Sequence, residues 1–164
     1  MAEIEKTGVP SDTGINLYWW PKVSSPKGFE FQAEVSRRFG AKMFVQHGAT
    51  FSNSESVIYA KAIYKPRMPE IKSLSALIDH DIAEFKGRDP KLKIVRAPFL
   101  PDGDGKLLQV LSFSPSGQGN WESVAYGEEG EFYLIFTISS QTSKGHEISF
   151  PAFKAMLQGY REKP

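Results

Sequence analysis

Three histidines, His47, His80 and His146, are the chain's only imidazoles, and it has no cysteine. Thiolate chemistry, disulfides and Cys-ligated zinc are therefore excluded. A metal site on a helix needs ligands at i and i+3 or i+4. His80 has no second histidine at either spacing, although Glu84 stands one turn beyond it. In Asp79-His80-Asp81 the three side chains point in different directions on a helix, so the expectation is a solvated face and no metal. Asp81 lies four residues after Leu77, inside that helix's apolar stripe. Two readings stand for it: a buried functional carboxylate, or a packing face shifted round the helix.

Other motifs fail on spacing. Asp102-Gly103-Asp104-Gly105 resembles the opening of a calcium loop, but Lys106 and Phe113 stand where oxygen ligands are required. A hairpin turn is expected there. Gly127-Glu128-Glu129-Gly130 carries adjacent carboxylates on a tight turn, where both would be solvated and nothing would set their acidities apart. There is no G-x-S-x-G elbow and no phosphate-binding G-x-x-x-x-G-K-[ST] loop. No catalytic residue, metal ligand or cofactor is assigned. A site assembled through space from a histidine and a carboxylate stays open as the alternative.

Aromatic residues offer more. With 12 Phe, 6 Tyr and 3 Trp the chain can supply both a core and a recognition surface. Trp19, Trp20 and Trp121 are the candidates for an aromatic groove, with Tyr64, Lys65 and Arg67 as a polar rim around Pro66. Trp20 is the foremost, because alternation turns it away from Leu17 and Trp19, and Pro21 sets it at a strand end. The competing reading makes the tryptophans core residues and the rim a solvated connection.

Charge narrows the partners. The formal net charge is +1 with scattered Lys and Arg, which provides no field for nucleic acid or an anionic membrane. No apolar run approaches the roughly 18 residues of a membrane span. Residues 1–10 hold Glu3, Glu5 and Lys6 and have no signal-peptide core. An exported, periplasmic protein whose signal has been removed ahead of Met-Ala is the expectation for compartment.

Stepping outward, residues 1–13 read as a loose polar arm and 14–164 as one α+β domain. Ile15–Trp20, Lys42–Gln46 and Val57–Lys65 read as strands. In the last, Val57, Tyr59, Lys61 and Ile63 share one face, with Ala60 and Ala62 on the other. Residues 21–40 read as a loop with at most one helical turn. Ser73 caps a helix to about Lys86, with Leu74, Leu77, Ile78, Ile82 and Phe85 in a stripe. Lys91–Arg96, Leu107–Phe113, Trp121–Tyr126 and Phe132–Ile138 follow as strands joined by turns. The Phe132–Ile138 run is aromatic and β-branched without charge, so it belongs at a sheet's centre. Ser149 then caps a closing helix carrying Phe150, Phe153, Leu157 and Tyr160, with Pro151 in its first turn. The result is an antiparallel sheet of about six or seven strands flanked by helices.

Two stretches, Y-L-I-F-T-I-S-S from Tyr133 and F-P-A-F-K-A-M-L-Q-G-Y to Tyr160, enclose the Gln141-Thr142 loop. This pattern resembles the closing strand, loop and helix of PsbP-like and Mog1-like α/β/α sandwiches. The long helix after Tyr64-Lys65-Pro66 is similar to theirs as well, and the likeness spans about half the chain. It implies a non-catalytic accessory or partner-binding role, often outside the cytoplasm of a bacterium. The functional expectation is thus a binding module for a protein partner or a small apolar ligand. The alternative is a small hydrolase or ligand-processing enzyme.

Overall fold

Antiparallel pairing joins nine strands into one sheet in the computed structural model, which describes residues 4–161. In chain order these begin with β1 (Ile4–Ser11), β2 (Gly14–Pro21) and β3 (Phe29–Phe31), followed by helix α1 (Ala33–Phe39). Strands β4 (Lys42–Gln46) and β5 (Ser56–Tyr64) lead through a 3-10 turn at Lys65–Arg67 into helix α2 (Leu74–Arg88). Then come β6 (Lys93–Pro101), β7 (Leu107–Ser114), β8 (Trp121–Glu129), β9 (Phe132–Ser140) and helix α3 (Ser143–Gly159). The sheet order is β1-β2-β5-β9-β8-β7-β6, with β4 also along β5 and β3 beside β4.

The centre is the β5–β9 ladder, in register from Ser56↔Ser140 to Tyr64↔Phe132. Its two faces bury different things. On one, Ile58, Ala60, Ala62, Ala125, Leu134, Phe136 and Ile138 meet Phe153, Met156, Leu157 and Tyr160 of α3. The small Ala60, Ala62 and Ala125 let that helix sit close. Gly127 serves the same end within the sheet, because a Cβ there would lie 2.5 Å from Leu108. On the other face, Leu77 and Ile78 of α2 cover Leu111, Phe113, Val124, Tyr126, Tyr133 and Ile135. Further along that face, Val35 of α1 and Phe51 cover Met43, Val45 and Val57. One face carries a single long helix and the other two separate covers. Among the described residues, no helix is long and apolar enough to cross a membrane.

Several expectations require correction. Over Ile4–Ser11 the arm is a strand paired with β2 from Ile4↔Pro21 to Ser11↔Gly14, because a short turn folds it back; residues 1–3 lie outside the described residues. Residues 21–40 contain β3 and the seven-residue α1 rather than a single turn. Gly40 ends α1 in the left-handed region, at φ 66, and packs its open side on the Tyr18 ring. These two additions raise the expected six or seven strands to nine. The β8–β9 connection is shorter than the four residues expected, with Gly130 at φ 54 supplying the tight turn.

The closing helix is capped by Thr142, seven residues before the expected Ser149, and Pro151 falls inside it. Its cap is assembled in three dimensions: Thr142 Oγ1 accepts from Gly145 N at 2.9 Å, and Glu55 Oε1 accepts from Thr142 N at 3.0 Å. A side chain at Gly145 would collide with Glu55. At the far end Gly103 N donates to Tyr160 O at 2.6 Å, and Tyr160 donates its hydroxyl proton to Glu129. Glu129 is therefore buried, whereas Glu128 pairs with Lys65 at 2.7 Å. The expectation that both carboxylates are solvated alike is overturned, because the C-terminus of α3 docks over one of them.

Phe136 is fully buried between β5 and β8 beneath Tyr160, at 5.4 Å between ring centroids. We expect Phe136→Ala to lower unfolding free energy by about 3–5 kcal/mol in equilibrium denaturation, since the site cannot collapse. An unchanged midpoint would contradict its central placement.

Candidate functional site

Face alternation leaves one region of the sheet uncovered, between the end of α2 and the α1–Phe51 cover. Here three cross-strand rows of β5, β9 and β8 reach its edge. Val57–Ser139–Glu122 lies open to it. In Tyr59–Thr137–Val124 and Lys61–Ile135–Tyr126 only Tyr59 and Lys61 line it, and the other residues are buried. Above these rows opens a cleft of about 930 Å³. Phe39, Ala41, Met43, Phe51 and Val57 form its apolar wall, and Phe39 and Phe51 stack at 5.2 Å. The opposite wall is the Gly117–Asn120 segment with Trp121, and Arg88 at the end of α2 closes one side. Phe39 is 52% exposed despite its size, because it faces the cleft rather than the core.

The floor is polar and ordered by hydrogen bonds. Asn120 Nδ2 donates to Ser139 Oγ at 2.9 Å, and Ser139 is the cross-strand neighbour of Glu122. Burial pushes the Glu122 pKa above the usual carboxylate range, with Ser139 and then Arg88 pulling the other way. Tyr59 stands opposite Thr137 across the strands, and burial drives its phenol well above the usual value, with the Glu122 charge adding to the rise. Behind them Tyr126 donates to Asp81 Oδ2 at 3.0 Å. Asp81 is raised mainly by burial, and the Tyr126 bond and nearby Lys61 oppose that rise. Asp81 is half-buried and interrupts the apolar stripe of α2, where it has this phenol to accept from.

The five aromatic and rim candidates separate into three places. Trp20 is 5% exposed, and its Nε1 has no hydrogen-bond partner among the described residues. The expectation of an open strand end fails because pairing with β1 continues through Pro21 and the Phe31 ring packs 6.4 Å away. Trp19, Tyr64 and Arg67 do come together: the Trp19 and Tyr64 rings are 5.3 Å apart, and the Arg67 guanidinium lies 4.6 Å from the Trp19 ring. Arg67 also donates to Leu17 O, so this aromatic surface is covered by the chain's own arginine. Trp121 alone lines the cleft.

Phe39, Tyr59, Glu122 and Ser139 were missed. A signal existed: on one face of β9 the sequence runs Tyr133, Ile135, Thr137, Ser139, turning from apolar to polar exactly where cover ends, and Glu122 stands beside its end.

No histidine lines the cleft. His47 makes a solvent-exposed contact with Glu30 at 3.3 Å. His80 lies 3.9 Å from both Asp81 and Glu84, and the three form a candidate metal-ligand group. One ligand atom from each lies within 4.8 Å of the others, and Asp81 also accepts from Tyr126. His146 Nε2 is 2.9 Å from Ser123 Oγ, which also meets Ser112 Oγ at 3.1 Å. This Ser–His contact is not a reachable nucleophile, because Ser123 is fully buried under α3. No family model matches the chain, and no curated protein matches it in sequence.

The Ser123–His146 bond carries a pH dependence. Burial lowers the His146 pKa, so the unfolded chain binds the proton first as pH falls. Stability should therefore decline below about pH 6.5 and level off below the folded pKa. Thermal unfolding between pH 7.5 and 5 should show a smaller decline for His146→Gln than for wild type; identical profiles would contradict this.

Proposed function

We propose that the chain is a non-catalytic binding domain, and that the cleft over β5, β9 and β8 receives the ligand. One observation carries the reading: a cleft of about 930 Å³ with an apolar wall and a hydrogen-bonded polar floor, left open between two covers. Its volume falls within the range of small-molecule sites, and its apolar wall of Phe39, Met43 and Phe51 faces a polar floor, so an occupant meets both kinds of surface. Phe39 and Phe51 supply contact area, while Asn120, Ser139 and Glu122 supply direction. The occupant in this reading is a small ligand with an apolar part, or a side chain of a protein partner inserted in the same way.

Kinship with PsbP-like and Mog1-like sandwiches belongs to the proposal, supported by the Tyr133–Tyr160 pattern and by helices on both sheet faces. So does an exported, periplasmic setting in a bacterium, which a cysteine-free chain is compatible with. The competing reading, a hydrolase or ligand-processing enzyme with a histidine–carboxylate site, has His47 beside Glu30 and His80 beside Asp81 and Glu84 to draw on. Neither histidine lines the cleft, however, and the Ser123 that meets His146 is buried.

The test is a fragment screen by amide NMR followed by Phe39→Ala. Binders should shift the amides of Phe39, Tyr59, Asn120, Glu122 and Ser139. Phe39→Ala should change stability by no more than about 1 kcal/mol, since the ring is half exposed. It should nonetheless weaken those binders at least about tenfold, the effect of losing an aromatic contact. Binders that map to the Trp19–Tyr64 surface instead would overturn the assignment.

A further inference from the structure

Glu122 is the least compensated charge on the cleft floor. It lies in the row nearest the apolar wall, with Val57 and Ser139 as its cross-strand companions. Ser139 is its neighbour across the strands, and Asn120 Nδ2 donates to the Ser139 hydroxyl oxygen at 2.9 Å. Glu122 forms no ion pair among the described residues.

Two cations, Lys61 and Arg88, line the same cleft, and neither forms an ion pair with Glu122, although Arg88 acts on it through space. Arg88 is solvent-exposed in the last turn of α2, where the helix dipole favours a positive charge, and it lies 4.8 Å over the Phe85 ring. Lys61 faces Asp81 two rows away. The remaining groups turned toward Glu122 are neutral: Tyr59 from β5, Ser139 from β9 and Asn120 beside β8.

A half-buried carboxylate without an ion pair, facing open space, is completed by a ligand that brings the charge. The Phe39–Phe51 pair and Met43 then set what the charge must be attached to.

We propose that the cleft recognises a small organic ammonium with an aryl or alkyl arm, its N–H groups donating to Glu122 and its arm lying on Phe39 and Phe51. This inference rests on the reading of the cleft as a ligand site and names the class of ligand. Its direction agrees with the raised pKa of Glu122, which a bound cation would bring down.

The experiment compares three probes of matched shape by calorimetric titration at pH 7.5: phenethylamine, 2-phenylethanol and phenylacetate. On the wild-type protein the order expected is ammonium, then alcohol, then carboxylate. This comparison needs no variant, so it holds whether or not a substitution disturbs folding. Glu122→Gln keeps the side chain's shape and should fold. It should weaken phenethylamine by about ten- to hundredfold, the worth of a charge-assisted hydrogen bond, and leave the alcohol nearly unchanged. Phe39→Ala should weaken all three alike.

Phenylacetate binding best, or Glu122→Gln leaving phenethylamine unaffected, would overturn the ammonium inference. If Phe39→Ala still weakened the probes, the cleft reading would survive that result. Absence of binding by all three probes would overturn the inference, while the fragment screen decides the cleft reading separately.

Discussion

The nine-pair ladder between β5 and β9 is the constraint on which the remaining structure depends. Both strands have neighbours on each side, so their backbone groups are paired without water, and both faces of the pair must be covered. One face solves this with α3 lying close over Ala60, Ala62 and Ala125. The other solves it with two shorter covers, α2 over β7, β8 and β9, and α1 with Phe51 over β4 and β5. The cleft is what two covers leave between them. Its floor is polar for the same reason: residues there meet water or a ligand, and Ser139 and Glu122 stand where Ile135 and Tyr126 stand under α2.

The covers are tied to the sheet by polar contacts between distant parts of the chain. Glu55 leaves β5's entrance, caps the start of α3 through Thr142 and lines the cleft. Ser56 Oγ meets Ser140 Oγ at 2.6 Å and donates to Gly145 O, binding the ladder's end to the same helix start. At the opposite end Tyr160 reaches Glu129, and the Asp102–Lys106 turn hydrogen-bonds the last turn of α3. A helix fixed at both ends over small residues has little freedom to slide, which keeps the cleft's shape a property of the other face alone.

How much of this was legible follows from the range of the interactions involved. Strands β5, β7, β8 and β9 and helix α2 carry their own patterns, with Ser73 accepting from Ala76 N at 3.1 Å as its sequence position implies. Strand β1 was hidden because Gly8 and Pro10 read as loop residues, and only pairing with β2 makes it a strand. The first turns of α3 were hidden because Ser143-Lys144-Gly145-His146 is polar, and its cap includes Glu55, 87 residues before Thr142. The burial of Trp20 depends on Phe31 and on the β1 pairing, neither evident locally. The cleft was the least legible feature, since α1, the Phe51 loop, three strands and the Gly117–Asn120 segment meet only in the folded chain.

Native-state hydrogen exchange tests the primacy of the ladder most directly. The amides of Ile58, Ala60, Phe136 and Ile138 should exchange only through global unfolding, with free energies equal to that from denaturation. Those of Thr7 and Val9 in the β1–β2 hairpin, which meets β5 through the single register pair Trp19↔Ala62, should exchange through local opening. Equal protection in hairpin and ladder, or ladder amides that exchange by local fluctuation, would contradict the account.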